Sequence, residues 1–552
     1  MAAILVCCNC GAALNTSPSL VSLLKPLPSS PSPDITRLLK TNDAPLDAEI
    51  SVVRQIISDD EDRLDALDAR ILHLQTVLAQ LVKRRTQTSK HLRKHRSIAS
   101  PIRRMPQELI CEILDLSTAR DRAGHEGKPP WRMGWISRSW RQYALGYPPL
   151  WSSFTVPASQ AYPWGEDWIT SQLPRLESQL LRSGTGPLNI HWSRFDRKEP
   201  SSRILDLMLP HSNRWRTVSF HKPPRAAVRP GRLISMSFPI RRPTNVELDW
   251  LQPLRGKLDA LRRLEMVGLR CTTFLDVFAT APNLCKVVGI SLPPADEASI
   301  EVPWKQIKYY RGTYSFAQQV DILQAAPNLL SCTLDITDYD YTFVPPTDTT
   351  ITLRQLRRLC LDQLGFHLPI VAPNLEELRC VDGQLKIPQI LSFVHRASCT
   401  LRRLVLWQCH IHPDLISALR DLPSLTYLFL ENEGHLEEHG VALFAALTVS
   451  GTAADICPHL ATMLYGYTRW DSSASQDSFV CMARSRFLAN PSDPLNPRFA
   501  SLRLLSIDAY ESEYVPPKAD VEARVRMLQD EGFDVTFLGE GETTEYLDSK
   551  ED

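Results

Sequence analysis

A leucine-led pattern returns every 19 to 27 residues through the middle of this chain. Each repeat opens an L-x-x-L-x-L-like stretch, and the unit from Leu401 to Ile411 also fits L-x-x-L-x-L-x-x-[NC]-x-L, with Cys409 at the polar position. This pattern predicts units of one strand and one helix, stacked side by side, which expose a long face suited to binding a protein. The eight leading residues are Leu261, Leu284, Ile307, Leu329, Leu356, Leu375, Leu401 and Leu425.

The repeats extend in both directions from this central run. Three Ala-Pro-Asn-Leu tetrapeptides begin at residues 281, 326 and 372, and each proline is expected to end the preceding helix. Earlier strands are predicted at Leu188 and Trp215, with one irregular unit between Trp215 and Leu261 because 46 residues separate them. Later units are predicted at Leu460 and Leu502. The predicted fold is α/β, a leucine-rich-repeat solenoid over residues 185–538.

Period-two alternation in each predicted strand points the leucines into the stack and the intervening residues to the opposite, concave face. Four of these residues lie together in the two best-formed units, and their types are enriched at interaction hot spots. We expect them to contact a target protein: Arg403, Trp407, Tyr427 and Phe429. The alternative is a packing patch covered by the insertion of residues 434–456. The whole face is predicted to carry Arg263, Glu265, Tyr309, Arg311, Arg358, Glu377, Arg379, Arg403, Trp407, Tyr427, Phe429 and Glu431.

Residues 45–98 are predicted to form one long helix of coiled-coil type. Apolar residues fill all but three of the a and d positions between Ile50 and Leu92. Acidic residues come early and basic residues late, which suits the helix dipole and favours an antiparallel partner helix, within the chain or in a homodimer. Residues 1–44, rich in Ser and Pro, and the acidic residues 539–552 are predicted to be disordered tails.

Charge and cysteine usage restrict the partners and the compartment. The 62 basic and 62 acidic residues cancel, so the whole-chain charge favours neither nucleic acid nor membrane. The basic run from Lys83 to Arg104 contains no aromatic residue for base stacking, so a solvated helix face is the favoured explanation, with a nuclear-import signal or a phosphate-contacting patch as the alternative. The 13 cysteines are scattered, which indicates buried thiols in a reducing compartment: the cytoplasm, with the nucleus left open. No apolar run is long enough to cross a membrane.

Between residues 101 and 155 the chain has two short amphipathic helices. A polar loop follows the first helix, the second covers about residues 135–144, and a Pro-Pro-Leu-Trp stretch ends at Trp151. About fifty residues cannot bury a deep core, so apolar surface is left for a partner to cover. The first helix begins at Pro106, and its apolar face carries Leu109, Ile110, Ile113 and Leu114.

This segment resembles the F-box, whose signature is L-P-x-E-[LI]-[LI]-x-x-I-[LF], then V-C-[RK]-x-W-R-x-x-A, then P-x-L-W. Met105 stands where that signature has its leading Leu, and Ser137 where it has Cys. Together with the long helix and the degenerate leucine repeats, the arrangement is similar to a large group of fungal F-box-like proteins. The matching residues are Met105, Pro106, Glu108, Leu109, Ile110, Ile113, Leu114, Ile136, Trp140, Arg141, Ala144, Pro148, Leu150 and Trp151.

The resemblance implies a substrate-recognition subunit of an SCF-type ubiquitin ligase. In that family the F-box docks on the Skp-type adaptor of the cullin ligase core, and the repeats hold a target protein. Internal packing is the alternative for every residue carried over, and a non-catalytic interaction scaffold with a vestigial F-box is the alternative function. Carried over by position, the adaptor-facing residues are Pro106, Leu109, Ile110, Ile113, Ile136, Trp140 and Trp151.

One stretch matches a catalytic motif. His435, Glu438 and His439 form H-x-x-E-H, the inverted zinc-peptidase pattern, and Glu511 or Glu513 could supply a further ligand. The stretch follows a predicted repeat strand through Glu433-Gly434, so a solvated loop is the ordinary explanation. Cys7-x-x-Cys10 has no second CxxC to complete a zinc site. We therefore expect no catalytic site, no cofactor and no metal.

Overall fold

The computed structural model describes residues 33–119, 130–157, 165–193, 201–221, 244–267, 269–290, 300–336, 350–362, 364–381, 387–409, 413–432, 437–450, 455–467, 470, 473–488, 501–506 and 518–538. The chain divides into two compact units between Pro106 and Gln107. Cys7, Cys10, His435, Glu511, Glu513 and the acidic tail lie outside the described residues. None of the described helices combines the length and the hydropathy required to cross a bilayer.

The first unit is helical. It contains α1 (Pro33–Leu38), α2 (Asp47–Ile98) and a 3-10 turn (Pro101–Arg104). The predicted long helix is confirmed, and it runs for 52 residues without a buried side chain. Glu49 stabilises the start of α2 because its carboxylate accepts a hydrogen bond from the Leu46 backbone N–H at 2.7 Å. Helix α1 lies within the segment predicted to be a disordered tail, and there Arg37 pairs with Glu49 at 3.3 Å.

The second unit is built on one sheet of fourteen parallel strands. The strands lie in the order of the chain, and each pairs in parallel with the next. They are β1 (Ser153–Pro157), β2 (Leu188–Ser193), β3 (Trp215–His221), β5 (Arg263–Val267), β7 (Lys286–Val288), β8 (Tyr309–Tyr314), β9 (Ser331–Ile336), β11 (Arg358–Leu361), β13 (Glu377–Val381), β14 (Arg403–Cys409), β15 (Tyr427–Asn432), β16 (Thr462–Tyr467), β17 (Ser501–Ser506) and β18 (Val535–Phe537). Two small parallel pairs lie apart from it: β4 (Thr244–Val246) with β6 (Leu269–Cys271), and β10 (Ile351–Thr352) with β12 (Ile370–Val371).

Helices and 3-10 turns precede the first strand and connect the later ones. The helices are α3 (Gln107–Ala119), α4 (Arg138–Leu145), α5 (Gly165–Arg182), α6 (Ser202–Met208), α7 (Phe316–Ala325), α8 (Ile387–Ala397), α9 (Pro413–Arg420), α10 (Glu437–Leu447), α11 (Ser473–Leu488) and α12 (Ala519–Asp530). The 3-10 turns are Pro130–Trp135, Pro148–Trp151, Leu209–Arg214, Asp249–Leu254, Trp304–Gln306 and Leu364–His367. The architecture is therefore mixed α/β, with a large parallel sheet and helices.

The leading residues of the leucine pattern set the position of each strand. All eight are buried, and a strand begins two residues after each one. The leucines that follow, such as Leu404 and Leu406, join Phe393, Leu419 and other helix residues in one continuous apolar cluster. One face of the sheet is thus packed against the helices, as the alternation predicted.

The asparagines of the three Ala-Pro-Asn-Leu tetrapeptides share one role that the sequence analysis missed. Each side-chain amide donates a 2.7 Å hydrogen bond to a backbone carbonyl of the preceding repeat: Asn283 to Asp259, Asn328 to Lys305 and Asn374 to Arg354. The bond ties each turn to the turn before it. The recurrence of Asn at this place follows from that contact, because its side-chain amide links two successive turns at the exposed edge of the stack.

Two predictions about the repeat register are wrong. β3 pairs directly with β5, Thr217 opposite Arg263, so the 46-residue interval holds no strand of the main sheet between them in its described part. The prediction placed Leu502 at the same repeat position as Leu460. In the structure Leu502 of β17 instead pairs with Met463 of β16, three residues further along the repeat. This unit was misaligned because Leu502, Leu504 and Leu505 lie so close together that the leucine pattern fits two alignments.

Candidate protein-interaction surfaces

Residues 107–151, here called the helical segment, begin with α3. The sequence placed four of its apolar residues on one face, but the structure divides them into two stripes about 100° apart. Ile110 and Leu114 are buried, whereas Leu109 is 48% exposed and Ile113 is 37% exposed. Leu116 continues the outer stripe one turn further. The helix therefore packs through one stripe and leaves a second apolar stripe uncovered.

The end of the helical segment forms its small interior. Ser137 caps α4 by accepting a hydrogen bond from the Trp140 backbone N–H at 3.2 Å. Trp151 is buried, and its indole N–H donates to the carbonyl oxygen of Ala144 at 2.6 Å. Ile110 and Trp151 therefore contribute to the internal packing of the segment, although the resemblance placed them on the adaptor side.

Helix α5, which the sequence analysis did not predict, fastens the helical segment to the sheet. The Gln179 amide donates to the carbonyl oxygens of Trp151 at 3.3 Å and Ser153 at 2.7 Å. The Arg182 guanidinium carbon lies 4.6 Å from the ring centroid of Trp151 and 4.4 Å from that of Trp131. These are cation–π contacts. The sequence contains no pattern that predicts these contacts of Gln179 and Arg182, because the partners are about 30 to 50 residues apart.

Apolar side chains remain exposed on the outside of the helical segment. Ile136 is 58% exposed and Trp135, which the sequence analysis did not select, is 74% exposed. Trp140 is half-buried, and Pro106 is an exposed residue at the end of the first unit. A helical spacing of i, i+4, i+7 from Leu109 was the signal that could have identified Leu116. The outward set is Leu109, Ile113, Leu116, Trp135, Ile136 and Leu145.

The face of the sheet that lies opposite the helix-packed core, here called the outer sheet face, carries an ion-pair cluster. Glu377 stands directly opposite Arg403 across the β13–β14 pair. Its carboxylate lies 3.1 Å from Arg403 Nε and accepts a 2.5 Å hydrogen bond from Arg379 Nε. Glu377 and Arg379 are both buried. One carboxylate therefore holds two guanidinium groups, because every second residue of a strand points to the same face.

The four predicted target-binding residues do lie together on this face. Arg403 stacks over Tyr427, with 3.9 Å from the guanidinium carbon to the ring centroid, and the Trp407 and Phe429 rings meet edge to face at 4.7 Å. Three of the four are buried, and Phe429 is 0% exposed; Arg403 keeps 19% of its side chain exposed. The four residues thus form two packed pairs on this face, Arg403 with Tyr427 and Trp407 with Phe429, and Arg403 is the most accessible of the four.

Towards the earlier strands the outer sheet face is more open and more polar. Tyr309, Arg311 and Arg358 are half-exposed. Burial raises the pKa of Asp335, while Arg311 and a hydrogen bond from Thr313 act in the opposite direction. Burial also raises the pKa of the Cys360 thiol to about 12, with nearby Arg379 opposing the shift. Cys360 is therefore a neutral thiol at physiological pH.

The insertion after β15 was the predicted alternative cover for this face. Its described helix, α10, instead packs into the helix-side core through Leu443, Phe444 and Leu447. Glu438 and His439 of the metallopeptidase motif fall in α10, so the prediction of a loop is wrong for those two residues. Within the ranges that the structure describes, no group of three His, Cys, Asp or Glu residues is placed to hold a metal ion.

No protein-family model matches this chain, and a search of curated proteins finds no match either.

Proposed function

We propose that this chain is a substrate-recognition subunit of an SCF-type ubiquitin ligase. Its helical segment, an F-box in this proposal, binds a Skp-type adaptor and through it the cullin ligase core. The large parallel sheet, a leucine-rich-repeat solenoid in this proposal, binds a target protein. The chain itself contributes no catalytic step, and it acts in the cytoplasm or the nucleus.

The observation that carries this proposal is the uncovered apolar stripe of α3. Leu109 and Ile113 are exposed although Ile110 and Leu114, their neighbours on the same helix, are buried. Small helical modules leave such surface when a partner covers it. The resemblance to the F-box places adaptor contacts at these two residues and at Ile136, and all three are exposed.

The outer sheet face supports the second half of the proposal. It brings Arg, Tyr and Trp side chains from several strands onto one face, and these residue types dominate binding energy at protein interfaces. In the proposal the target contacts Arg403 and the half-exposed Tyr309, Arg311 and Arg358. The buried Tyr427 ring and the Glu377 carboxylate hold the Arg403 guanidinium in place.

The adaptor half can be tested with purified proteins. A recombinant Skp-type adaptor should bind the wild-type chain, and Leu109→Glu/Ile113→Glu should abolish binding, because each charge would be buried against an apolar partner surface. Leu181→Glu is the matched control, since Leu181 is 85% exposed on α5. This control should bind as the wild type does.

A non-catalytic scaffold with the same fold is the second candidate function. It predicts no adaptor binding by the wild-type chain, and that result would overturn the ligase proposal. Binding that survives the Leu109→Glu/Ile113→Glu change would also contradict it, because the interface would then lie elsewhere. Retained far-ultraviolet circular dichroism must accompany each variant, so that loss of binding is not loss of fold.

A further inference from the structure

The long helix α2 exposes seven of the ten apolar residues of its heptad stripe in this structure. Leu64 is 60% exposed, Leu78 is 62% exposed and Leu81 is 59% exposed. At 1.5 Å per residue the helix is roughly 78 Å long. A heptad stripe of this length is stable in water when a second helix covers it. The apolar a and d residues are Ile50, Val53, Ile57, Leu64, Leu67, Ile71, Leu74, Leu78, Leu81 and Leu92.

Three positions interrupt the stripe with polar residues. Asp60 and Thr88 occupy d positions, and Arg85 occupies an a position. The two charged residues are of opposite sign and lie 25 residues apart on one helix. A charge inside a coiled-coil seam is costly against an apolar residue and is tolerated against its opposite, so these two residues select among the possible pairings.

In an antiparallel pair each a residue forms a layer with a d residue of the other helix. A twofold axis between Leu72 and His73 places Ile71 against Leu74 of the second copy, and Leu64 against Leu81. The same axis places Leu67 against Leu78 and Val53 against Leu92. It also places Asp60 against Arg85, once at each end of the pair. Both seam charges are therefore neutralised in the register that keeps the central leucines and isoleucines together.

The other registers leave these charges in apolar layers. A shift of one heptad puts Asp60 against Leu78 and Arg85 against Val53, and the opposite shift puts Asp60 against Leu92 and Arg85 against Leu67. A parallel pair in register puts Asp60 against Asp60 and Arg85 against Arg85, which repel. In the favoured register the acidic run Asp59–Asp62 also lies alongside the basic run Lys83–Arg85 of the other copy.

We propose that two copies of this chain associate through α2 as an antiparallel coiled coil, with the Asp60–Arg85 layers selecting the register. The occupant of the apolar stripe is a second copy because the stripe is complementary to itself under twofold rotation. Each half of the pair forms six a–d layers from the Val53–Leu92 layer to the axis, and four of them are wholly apolar. The proposal does not depend on adaptor binding, since α2 belongs to the first unit and α3 to the second.

Sedimentation equilibrium of the purified full chain tests this proposal. The wild type should have twice the monomer mass of 62.5 kDa at micromolar concentration. Asp60→Arg or Arg85→Asp alone creates two like-charge layers, and each should raise the dissociation constant of the dimer at least about tenfold. The double variant Asp60→Arg/Arg85→Asp reverses both partners and should restore the wild-type constant.

Two control variants carry the same charge changes on the outer side of the helix. Asp65→Arg and Arg93→Asp occupy b positions, away from the seam, and should leave the dissociation constant within about threefold of the wild type. A monomeric wild type would overturn the proposal. So would a dimer that the single variants leave unchanged, which is the result that a parallel pair predicts, or a double variant no tighter than the single ones.

Discussion

The indole N–H of Trp151 donates a 2.6 Å hydrogen bond to the backbone carbonyl oxygen of Ala144. The bond joins the last turn of the helical segment to the end of α4, inside a module with few other buried groups. It therefore supports the surface that Leu109 and Ile113 present on the other side. Trp151 is the largest buried side chain of this small module, and its hydrogen bond and the Arg182 contact add to the packing of Ile110 and Leu114.

Trp151→Phe should destabilise the second unit by about 1–3 kcal/mol, because it leaves the Ala144 carbonyl buried without that donor. Urea denaturation followed by circular dichroism measures the change. Trp135→Phe is the control: Trp135 is 74% exposed, and its effect should stay below about 0.5 kcal/mol. Equal effects for both variants would contradict the packing described for Trp151.

Asn328→Ala should cost about 1 kcal/mol of unfolding free energy, because the 2.7 Å hydrogen bond to the Lys305 carbonyl is lost. Ser424 takes the place of the asparagine in Leu422-Pro-Ser-Leu425. The side chain of Ser424, a described residue, makes no comparable hydrogen bond, so Ser424→Ala should be close to neutral. Hydrogen exchange of the Leu329 turn should quicken in the first variant alone.

Glu377→Gln should destabilise the protein by about 3 kcal/mol, because it removes the counter-charge of the buried Arg379 and weakens the hold on Arg403. Glu376→Gln is a matched control on the adjacent residue. Glu376 pairs with Arg357 at 3.3 Å on the exposed surface, so this change should cost less than about 1 kcal/mol. Thermal unfolding of the two variants should separate clearly; coincident transitions would mean that the cluster does not contribute.

Arg486 is a buried arginine whose guanidinium donates to three backbone carbonyls. Its Nε donates to Leu447 at 2.7 Å, and its two terminal nitrogens donate to Cys457 at 3.0 Å and Ile456 at 2.7 Å. Burial lowers the pKa of Arg486 to about 10, so it stays charged at neutral pH.

Arg486→Met should lower the unfolding free energy by at least about 3 kcal/mol, since three buried carbonyls lose their donors. Arg484→Met removes an arginine of the same helix that pairs with Glu531 at the surface, and should cost under about 1 kcal/mol. Denaturant midpoints compare the two. A small effect of Arg486→Met would show that the three carbonyls find other partners.

The pH dependence of stability should carry a contribution from Asp335. Its folded-state pKa is raised above the ordinary 3.8 by burial, so the ionised carboxylate opposes folding. This destabilising contribution is fully present above the raised pKa and disappears as the pH falls to 3.8. On acidification the wild type should therefore gain stability relative to Asp335→Asn. A constant difference between the two unfolding free energies over this window would contradict the assignment.

The local features of this fold were predictable because they depend on neighbouring residues. The heptads of α2, the burial of leading residues such as Leu401, and the strands that follow them all express short-range periodicity. The register of β17 was missed because its consecutive leucines fit two alignments, and only pairing with Met463 distinguishes them. The direct β3–β5 pairing was missed because the length of an interval does not reveal what it contains.

The candidate surfaces were predictable by position but not by exposure. The sequence placed Leu109 and Ile110 on one face of α3. In the structure Ile110 is buried and Leu109 is exposed, because only one side of the helix packs against the rest of the segment. It also placed Trp407 and Phe429 on a common face, yet their burial depends on what surrounds the strands. Gln179 and Arg182, which hold the helical segment in place, had no recognisable sequence pattern.

The amino-acid sequence by itself determined the repeat, the long helix and the face on which each strand residue lies, since periodicity operates within a few residues. Tertiary structure alone decided which apolar residues are covered and which carbonyls receive Arg486, Gln179 and Trp151. Those outcomes depend on contacts between groups far apart in the chain. Whether a group loses its water, and which hydrogen-bond partner replaces that water, is decided only when all the strands and helices are packed together.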